Sequence, residues 1–330
     1  MRSYIKGLGM YLPETVVTND DLAKRFETSD EWIQQRTGIK ERRVAEEGVS
    51  CSDLAAKAAT AAIEDAGLTP EDIDCILFAS LSPDHHFPGS GCYVQEKIGC
   101  RGVAAMDIRN QCTGFLYGLA TADAYVKAGL FKNVLVIGAE VHSSALNYTT
   151  EGRDVAVLFG DGAGAAVISA SPDEDQGFLH FDLHADGKYA RALYLDIWDI
   201  SKKPYIADGT MPDETRWPQM DGKTVFKHAV TQMVRSAHTS LEACGKSLDD
   251  LKLLIPHQAN LRINEFVAAK LELGPDRVHN NIDRYGNTTA ATLPICFLEA
   301  LKEGKARRGD LVMFVAFGSG FTWGSALMRY

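Results

Sequence analysis

The 330-residue chain has no Cys-x-x-Cys pair, no excess of positive charge and no apolar run long enough to cross a bilayer. Each absence closes off a class of protein. Seven cysteines, an odd number without metal-type spacing, argue against a disulfide framework and against a zinc site. The opening "MRSYIKGLGMYLP" lacks the apolar centre of a secretory leader, so a reducing cytoplasm is the expected compartment. A net charge of −10 disfavours nucleic acid or an anionic membrane as the main partner. "FGDGAGAA" (159–166) misses the dinucleotide-binding spacing, because its third glycine falls at Gly164 and the chain returns into an apolar strand pattern. Proline is scarce, with 11 in all, and three of them fall between 195 and 223 beside two tryptophans. That stretch is too long for an ordinary connection; a surface loop, a lid and a channel wall all fit it.

What is present is an alternation of helix and strand patterns. "SDLAAKAATAAIEDAG" (52–67) has the spacing of an Ala-rich amphipathic helix, opened by Ser52 and closed by Gly67. "IDCILFAS" (73–80) and "KNVLVIGAE" (132–140) are apolar enough for buried strands, and 155–170 has the pattern of a strand, a glycine turn and a returning strand. The second half repeats the order. Residues 61–80 lie over 239–258, with Glu64 on Glu242 and Gly67 on Gly245, and 157–168 lie roughly over 315–327. Two matches in the same order indicate an internal duplication. Buried strands between helices imply mainly parallel sheets covered by helices. The expected organisation is two similar α/β halves, residues 1–172 and 173–330.

Four segments carry residue types suited to chemistry. In "DIRNQCTGFLYGL" (107–119), Phe115, Leu119, Ala122 and Val126 follow at helical spacing, which puts Cys112 near a helix N-terminus. Unpaired N–H groups there favour a thiolate nucleophile, although a buried, inert cysteine fits the same pattern. In "LLIPHQANLRI" (253–263), His257 leaves the C-terminal end of a buried strand, the edge where α/β sites form. In "DRYGNTTAATLP" (283–294), Asn287 is either a helix cap or an amide donor to an oxyanion. Trp32 and Arg36 lie four apart in "TSDEWIQQRTGIKERR" (28–43), on one helix face. An indole to stack a base and a guanidinium to hold phosphate would use both, and so would a plain surface helix.

Taken together, "TSDEWIQQRTGI", "QCTGF", "FGDGAGAAV", "PHQANLRI", "YGNTTAAT" and "FGSGFTWGSAL" resemble, in order and over nearly the whole chain, the β-ketoacyl-acyl-carrier-protein synthase III family of the thiolase superfamily. The resemblance implies a five-layered αβαβα sandwich of two duplicated α-β-α-β-α halves, a homodimer, and a Cys112–His257–Asn287 site that needs no cofactor and no metal. It implies an acyltransferase of fatty acid or related lipid or polyketide biosynthesis. An acyl-CoA primer is transferred to Cys112, and malonyl-carrier protein or malonyl-CoA then loses CO₂ and condenses with it. Donors from His257 and Asn287 stabilise the enolate, and the oxyanion is held by the Cys112 N–H and one from the Phe317–Gly320 loop, with Phe317 and Ser319 at the wall. Trp32, Arg36 and Arg153 match the positions that hold the CoA nucleotide, and Phe226 and Asn260 match the pantetheine tunnel. Arg262 matches the contact for the acidic carrier protein, and Phe87 the residue that reaches the partner's acyl pocket.

The chain departs from the common pattern in Arg109-Asn110-Gln111, in Gly318-Ser319-Gly320 and in the length of 195–223. These point to a primer longer than acetyl. A degradative thiolase would need a second cysteine in the C-terminal glycine loop, and "FGSGFTWG" has none. A non-decarboxylative acyl-CoA condensing enzyme or another acyltransferase of the same fold keeps Cys112 and stays open as the alternative.

Overall fold

The computed structural model describes residues 1–197, 200–201 and 216–330. Most of the Pro/Trp-rich stretch, including Trp198 and Tyr205, therefore lies outside the described residues. Two sheets organise the chain. The first runs, in spatial order, Ser3–Tyr11, Gly162–Ala170, Asn133–Glu140, Cys75–Ala79 and Ala104–Ile108. The second runs Gly177–Ala185, Thr322–Arg329, Leu311–Gly318 and Leu253–Pro256. Read from those ends, both sheets pair antiparallel, antiparallel, then parallel, and the first adds one more parallel strand. The same four-strand order with the same senses is the spatial form of the repeat read from the sequence. All strands of the first sheet precede residue 171, and all strands of the second follow 176.

The expectation of mainly parallel sheets is corrected: both sheets are mixed. Leu311–Gly318 turns back as an antiparallel hairpin into Thr322–Arg329, and Asn133–Glu140 pairs antiparallel with Gly162–Ala170. The strand expected at the start of 155–170 is a helical turn, Arg153–Ala156. Its Ala156, Val157 and Leu158 pack beside Leu22, Ile33 and Ile39 instead of joining a sheet. Tertiary packing here overrides a locally strand-like composition.

Strand alternation fixes the layers. Leu77, Val134 and Val136 of the first sheet face Leu253, Ile255 and Phe314 of the second across the helices Gly114–Lys127 and Thr292–Lys302. The intervening positions Ile76, Phe78, Leu135 and Ile137 point the other way, against the helix Cys51–Asp65. On the far side, Leu254, Met313 and Val315 meet Gly222–Ala243 and Leu261–Lys270. Side chains of period two on strands buried on both faces give a helix–sheet–helix–sheet–helix sandwich. The Ala-rich helix starts one residue before Ser52, with Ser50 and Asp53 forming a capping box. Its alanines let it lie close on the first strand: a Cβ at Gly9 would stand 2.2 Å from the Ala58 carbonyl.

Candidate active site

Cys112 sits in a tight turn, Gln111–Thr113, that feeds directly into the central helix Gly114–Lys127. Gln111 has a φ of +46°, a left-handed conformation unusual for a side-chain-bearing residue, and it presents the next residue's thiol. Thr113 steadies the turn, its N–H and hydroxyl both bonding the Asn110 carbonyl, at 3.1 and 2.9 Å. Arg109 is exposed and Asn110 and Gln111 are half-buried, so their polar character belongs to the outer side of the turn and not to the packed thiol.

The expected thiolate is corrected. Burial pushes the Cys112 thiol up to about 12, the charge of buried Glu140 adds to the rise, and the backbone N–H groups of Cys112 and Ser319 oppose it without winning. The desolvation of a buried sulfur outweighs the field of one helix end. Both N–H groups act on the sulfur in the sense that favours its anion, which makes them candidate donors to an oxyanion formed beside it. Ser319 contributes only its backbone: its hydroxyl turns away to the Leu193 carbonyl. Gly318 packs on Cys112 so tightly that an added Cβ would lie 2.9 Å from the Cys112 Cβ. Phe317 is buried against Phe321, with ring centroids 4.7 Å apart.

His257 follows the strand Leu253–Pro256, and its N–H bonds the Val315 carbonyl of the neighbouring strand at 2.8 Å. The ring is buried. Nδ1 lies 2.6 Å from the Thr292 hydroxyl, and Nε2 is buried with no partner among the described residues. Desolvation lowers its pKa to about 3, so the ring is neutral. Asn287 is pinned by its N–H on the Leu158 carbonyl and by the Gly160 N–H on its own carbonyl. Its Oδ1 accepts the Thr289 N–H at 2.8 Å, which leaves Nδ2 as the side chain's donor. Asn287 is therefore not the cap of the helix Thr292–Lys302, which is led in by its own turn, Thr289–Ala291.

Sequence reasoning missed the layer beneath. Thr289, at φ +47°, bonds His142 Nε2 at 2.5 Å, and Glu140 lies 3.7 Å from the same nitrogen. Burial lifts the Glu140 carboxyl to about 7 against donors from Leu81 and Ser82, and lowers His142 to about 4. The clue was the one that exposed His257: Glu140 is a polar residue at the C-terminal end of an apolar strand. These groups set a pH response. The unfolded chain protonates His142 and His257 near 6.5, but the folded chain refuses both protons until about 4 and 3. Their stabilisation is complete above 6.5 and is lost as pH falls through that window. Glu140 acts in the opposite sense, favouring the fold at acid pH and losing that contribution as pH rises through about 7. Two histidines outweigh one carboxyl, so the urea midpoint is expected to fall between pH 7.5 and pH 5; an unchanged or higher midpoint would contradict the burial of these rings.

The residues matched to CoA and carrier protein form a second, more exposed group. Arg36 and Arg153 place their guanidinium carbons 4.2 and 5.0 Å from the Trp32 ring centre. The Arg36 carbonyl accepts from Asn260 Nδ2 at 2.9 Å, and Asn260 Oδ1 caps the next helix at the Arg262 N–H. Asn260 thus spends both side-chain atoms on structure. Arg262 is exposed and lies 6.0 Å from the ring of half-buried Phe226. Phe87 is not part of either group; it stands 79% exposed on the loop before the helix Ser90–Lys97.

A buried cysteine, a neutral histidine and an amide at the strand and helix ends of two duplicated mixed sheets fit a condensing enzyme of the thiolase fold. Comparison with known proteins narrows the class. The family model described as 3-oxoacyl-[acyl-carrier-protein (ACP)] synthase III matches residues 106–187, and the model of its C-terminal part matches 241–330. Beta-ketoacyl-[acyl-carrier-protein] synthase III 1 of Vibrio vulnificus strain YJ016 is 46% identical over 330 residues, all of both chains. The Bacillus pumilus synthase III is 45% identical, over 100% of this chain and 99% of that one. Among solved structures, the 3-oxoacyl-[acyl-carrier-protein] synthase III of Aquifex aeolicus superposes with a TM-score of 0.91 at 43% identity, covering 99% of this chain and 100% of that one. The priming β-ketosynthase of the R1128 polyketide pathway gives 0.90 at 29% identity, covering 99% and 96%. The chain belongs to the β-ketoacyl-acyl-carrier-protein synthase III family and is an acyltransferase-type condensing enzyme.

Proposed function

We propose that the chain primes β-ketoacyl synthesis by moving an acyl group from CoA to Cys112 and condensing it with a malonyl thioester. The observations that carry this reading are the close packing of Gly318, at the end of a strand, on Cys112 and the backbone N–H groups of Cys112 and Ser319 that favour the sulfur's anion. As sulfur attacks the acyl carbon, the carbonyl oxygen gains charge that those donors meet; the thiol proton leaves as the S–C bond forms, and CoA departs as the thiol. In the second half-reaction the malonyl carboxylate leaves as CO₂ and its electron pair moves onto the thioester oxygen. Asn287 Nδ2, free because Oδ1 is held by Thr289, and His257 Nε2 are the side-chain atoms offered to that enolate. The carbanion attacks acyl-Cys112 and releases the β-ketoacyl product.

Trp32, Arg36 and Arg153 suit the nucleotide and phosphates of CoA, through stacking and paired charge. Arg262 suits an acidic carrier protein, which makes malonyl-carrier protein the preferred extender over malonyl-CoA. A homodimer fits the edge strand Ala104–Ile108, whose free side carries exposed Met106, and the 79% exposed Phe87 nearby; a monomer at micromolar concentration in sedimentation would remove it. No cofactor enters this scheme. The primer is proposed to be longer than acetyl, in keeping with the departures at 109–111 and in 195–223.

The test is an acyl-CoA ladder with malonyl-carrier protein, reading the mass of the acyl-enzyme and the release of ¹⁴CO₂. A longer acyl-CoA is expected to give the highest kcat/KM. Release of CoA without CO₂ would favour the non-decarboxylative alternative. Asn287→Ala is expected to acylate normally and to lose about 10²–10³ in CO₂ release, the scale of one oxyanion donor; equal decarboxylation would remove Asn287 from its role.

A further inference from the structure

The Thr292 side chain joins the active-site histidine to a backbone carbonyl. Its Oγ1 lies 2.6 Å from His257 Nδ1 and 3.0 Å from the Thr289 carbonyl oxygen. Thr292, His257 and Thr289 are all buried, so no bulk water competes for these bonds. A carbonyl oxygen only accepts, and a hydroxyl has one hydrogen to give. With that hydrogen on Thr289, the hydroxyl must accept from Nδ1–H. The ring is then the tautomer whose other nitrogen, Nε2, is a bare lone pair. That nitrogen is the one buried without a partner.

We propose that Thr292 is a positioning residue that holds His257 in either tautomer and thereby lets one ring serve both half-reactions. This rests on the condensing reaction proposed above. With the hydroxyl donating to Thr289, Nε2 accepts the Cys112 thiol proton as the S–C bond forms. The C–S bond to CoA breaks, and the proton passes from Nε2 to the CoA sulfur, so the acylation step balances. With the hydroxyl turned onto Nδ1, the ring carries its proton on Nε2 and donates it to the enolate oxygen. The change between them removes one proton from Nδ1 and adds one at Nε2, carried by water that enters the site after CoA has left and before the malonyl thioester binds. A side chain that both donates and accepts is required; a methyl does neither, and a carboxylate would hold only the Nδ1–H form.

The test compares Thr292→Val, which keeps the shape, with Thr292→Ser, which keeps the hydroxyl. Single-turnover acylation of Cys112 and ¹⁴CO₂ release are measured separately, and ¹⁵N spectra of the histidine ring, assigned with His257→Gln, report the tautomer. Thr292→Val is expected to slow both half-reactions at least about tenfold, a part of the 10²–10⁴ that proton transfer supplies. Thr292→Ser is expected to restore both. The wild-type spectrum is expected to show an unprotonated Nε2 at rest. Thr292→Val acting at the wild-type rate in both halves, or a resting Nε2–H signal in the wild type, overturns the proposal. A wild-type enzyme that forms acyl-Cys112 but releases no CO₂ overturns the proposed reaction instead, and the two failures are read by different measurements: the variant rates and the ring spectrum for the proposal, wild-type ¹⁴CO₂ for the reaction.

Discussion

Cys112→Ala is expected to abolish acyl-enzyme formation and lower turnover by on the order of 10⁵–10⁶, the scale at which removing a nucleophile leaves only binding and oxyanion donors. The reason is positional. Cys112 is the cysteine whose anion two backbone N–H groups favour, and it lies against Gly318 at the end of a central strand of the second sheet. Cys51, Cys75, Cys100 and Cys296 are also buried, with thiols likewise pushed up by desolvation, but the causes acting on them include no such pair of backbone donors. Cys92 is exposed and provides the internal control. Peptide mapping after incubation with acyl-CoA is expected to show the adduct at Cys112 in the wild type and none there or elsewhere, above background at Cys92, in the variant. Wild-type acylation in Cys112→Ala would end the assignment. Serine should also fail as a carrier, because a hydroxyl in this desolvated turn is a far harder group to deprotonate than the thiol it replaces.

Gly318→Ala is expected to reduce kcat by about 10²–10³ while leaving the chain folded. The added methyl would meet Cys112 Cβ at 2.9 Å and its backbone nitrogen at 3.2 Å. It would fill the space in which the oxyanion forms and displace the turn by a few tenths of an ångström. Gly318 does not have a positive φ, so the substitution carries no backbone strain of its own. The measurements are kcat and acylation rate beside the urea midpoint. A kcat within tenfold of wild type would show that the oxyanion lies elsewhere than between Cys112 and Ser319. A collapse of stability would be told apart by the midpoint, and Gly318→Ser, bulkier still, should then unfold further.

The local pattern pointed to much of the candidate site because each proposed catalytic side chain occupies a place defined by short-range order. His257 ends an apolar strand, Cys112 precedes an apolar helix, and Asn287 precedes a run of small residues. Trp32 and Arg36 share a helical face, and the structure adds Arg153 from 121 residues away. The polar run Arg109-Asn110-Gln111 has become specific in one respect: Gln111 takes the left-handed conformation that turns the edge strand into the nucleophile's turn. Nothing in its composition announced that.

The sequence by itself determined the duplicated order of helices and doubly buried strands and which residue types stand at the strand and helix ends; the sandwich entered through the family resemblance, and the mixed sense of both sheets only through the structure. Only the tertiary structure decided the chemistry of those residues. Whether a cysteine beside a helix N-terminus is a thiolate depends on how much solvent the rest of the chain removes, and here burial and Glu140 win over the helix. Which nitrogen of His257 is free depends on Thr292, 35 residues away. Desolvation and hydrogen-bond direction are sums over neighbours brought from distant segments, and a linear pattern contains no term for either.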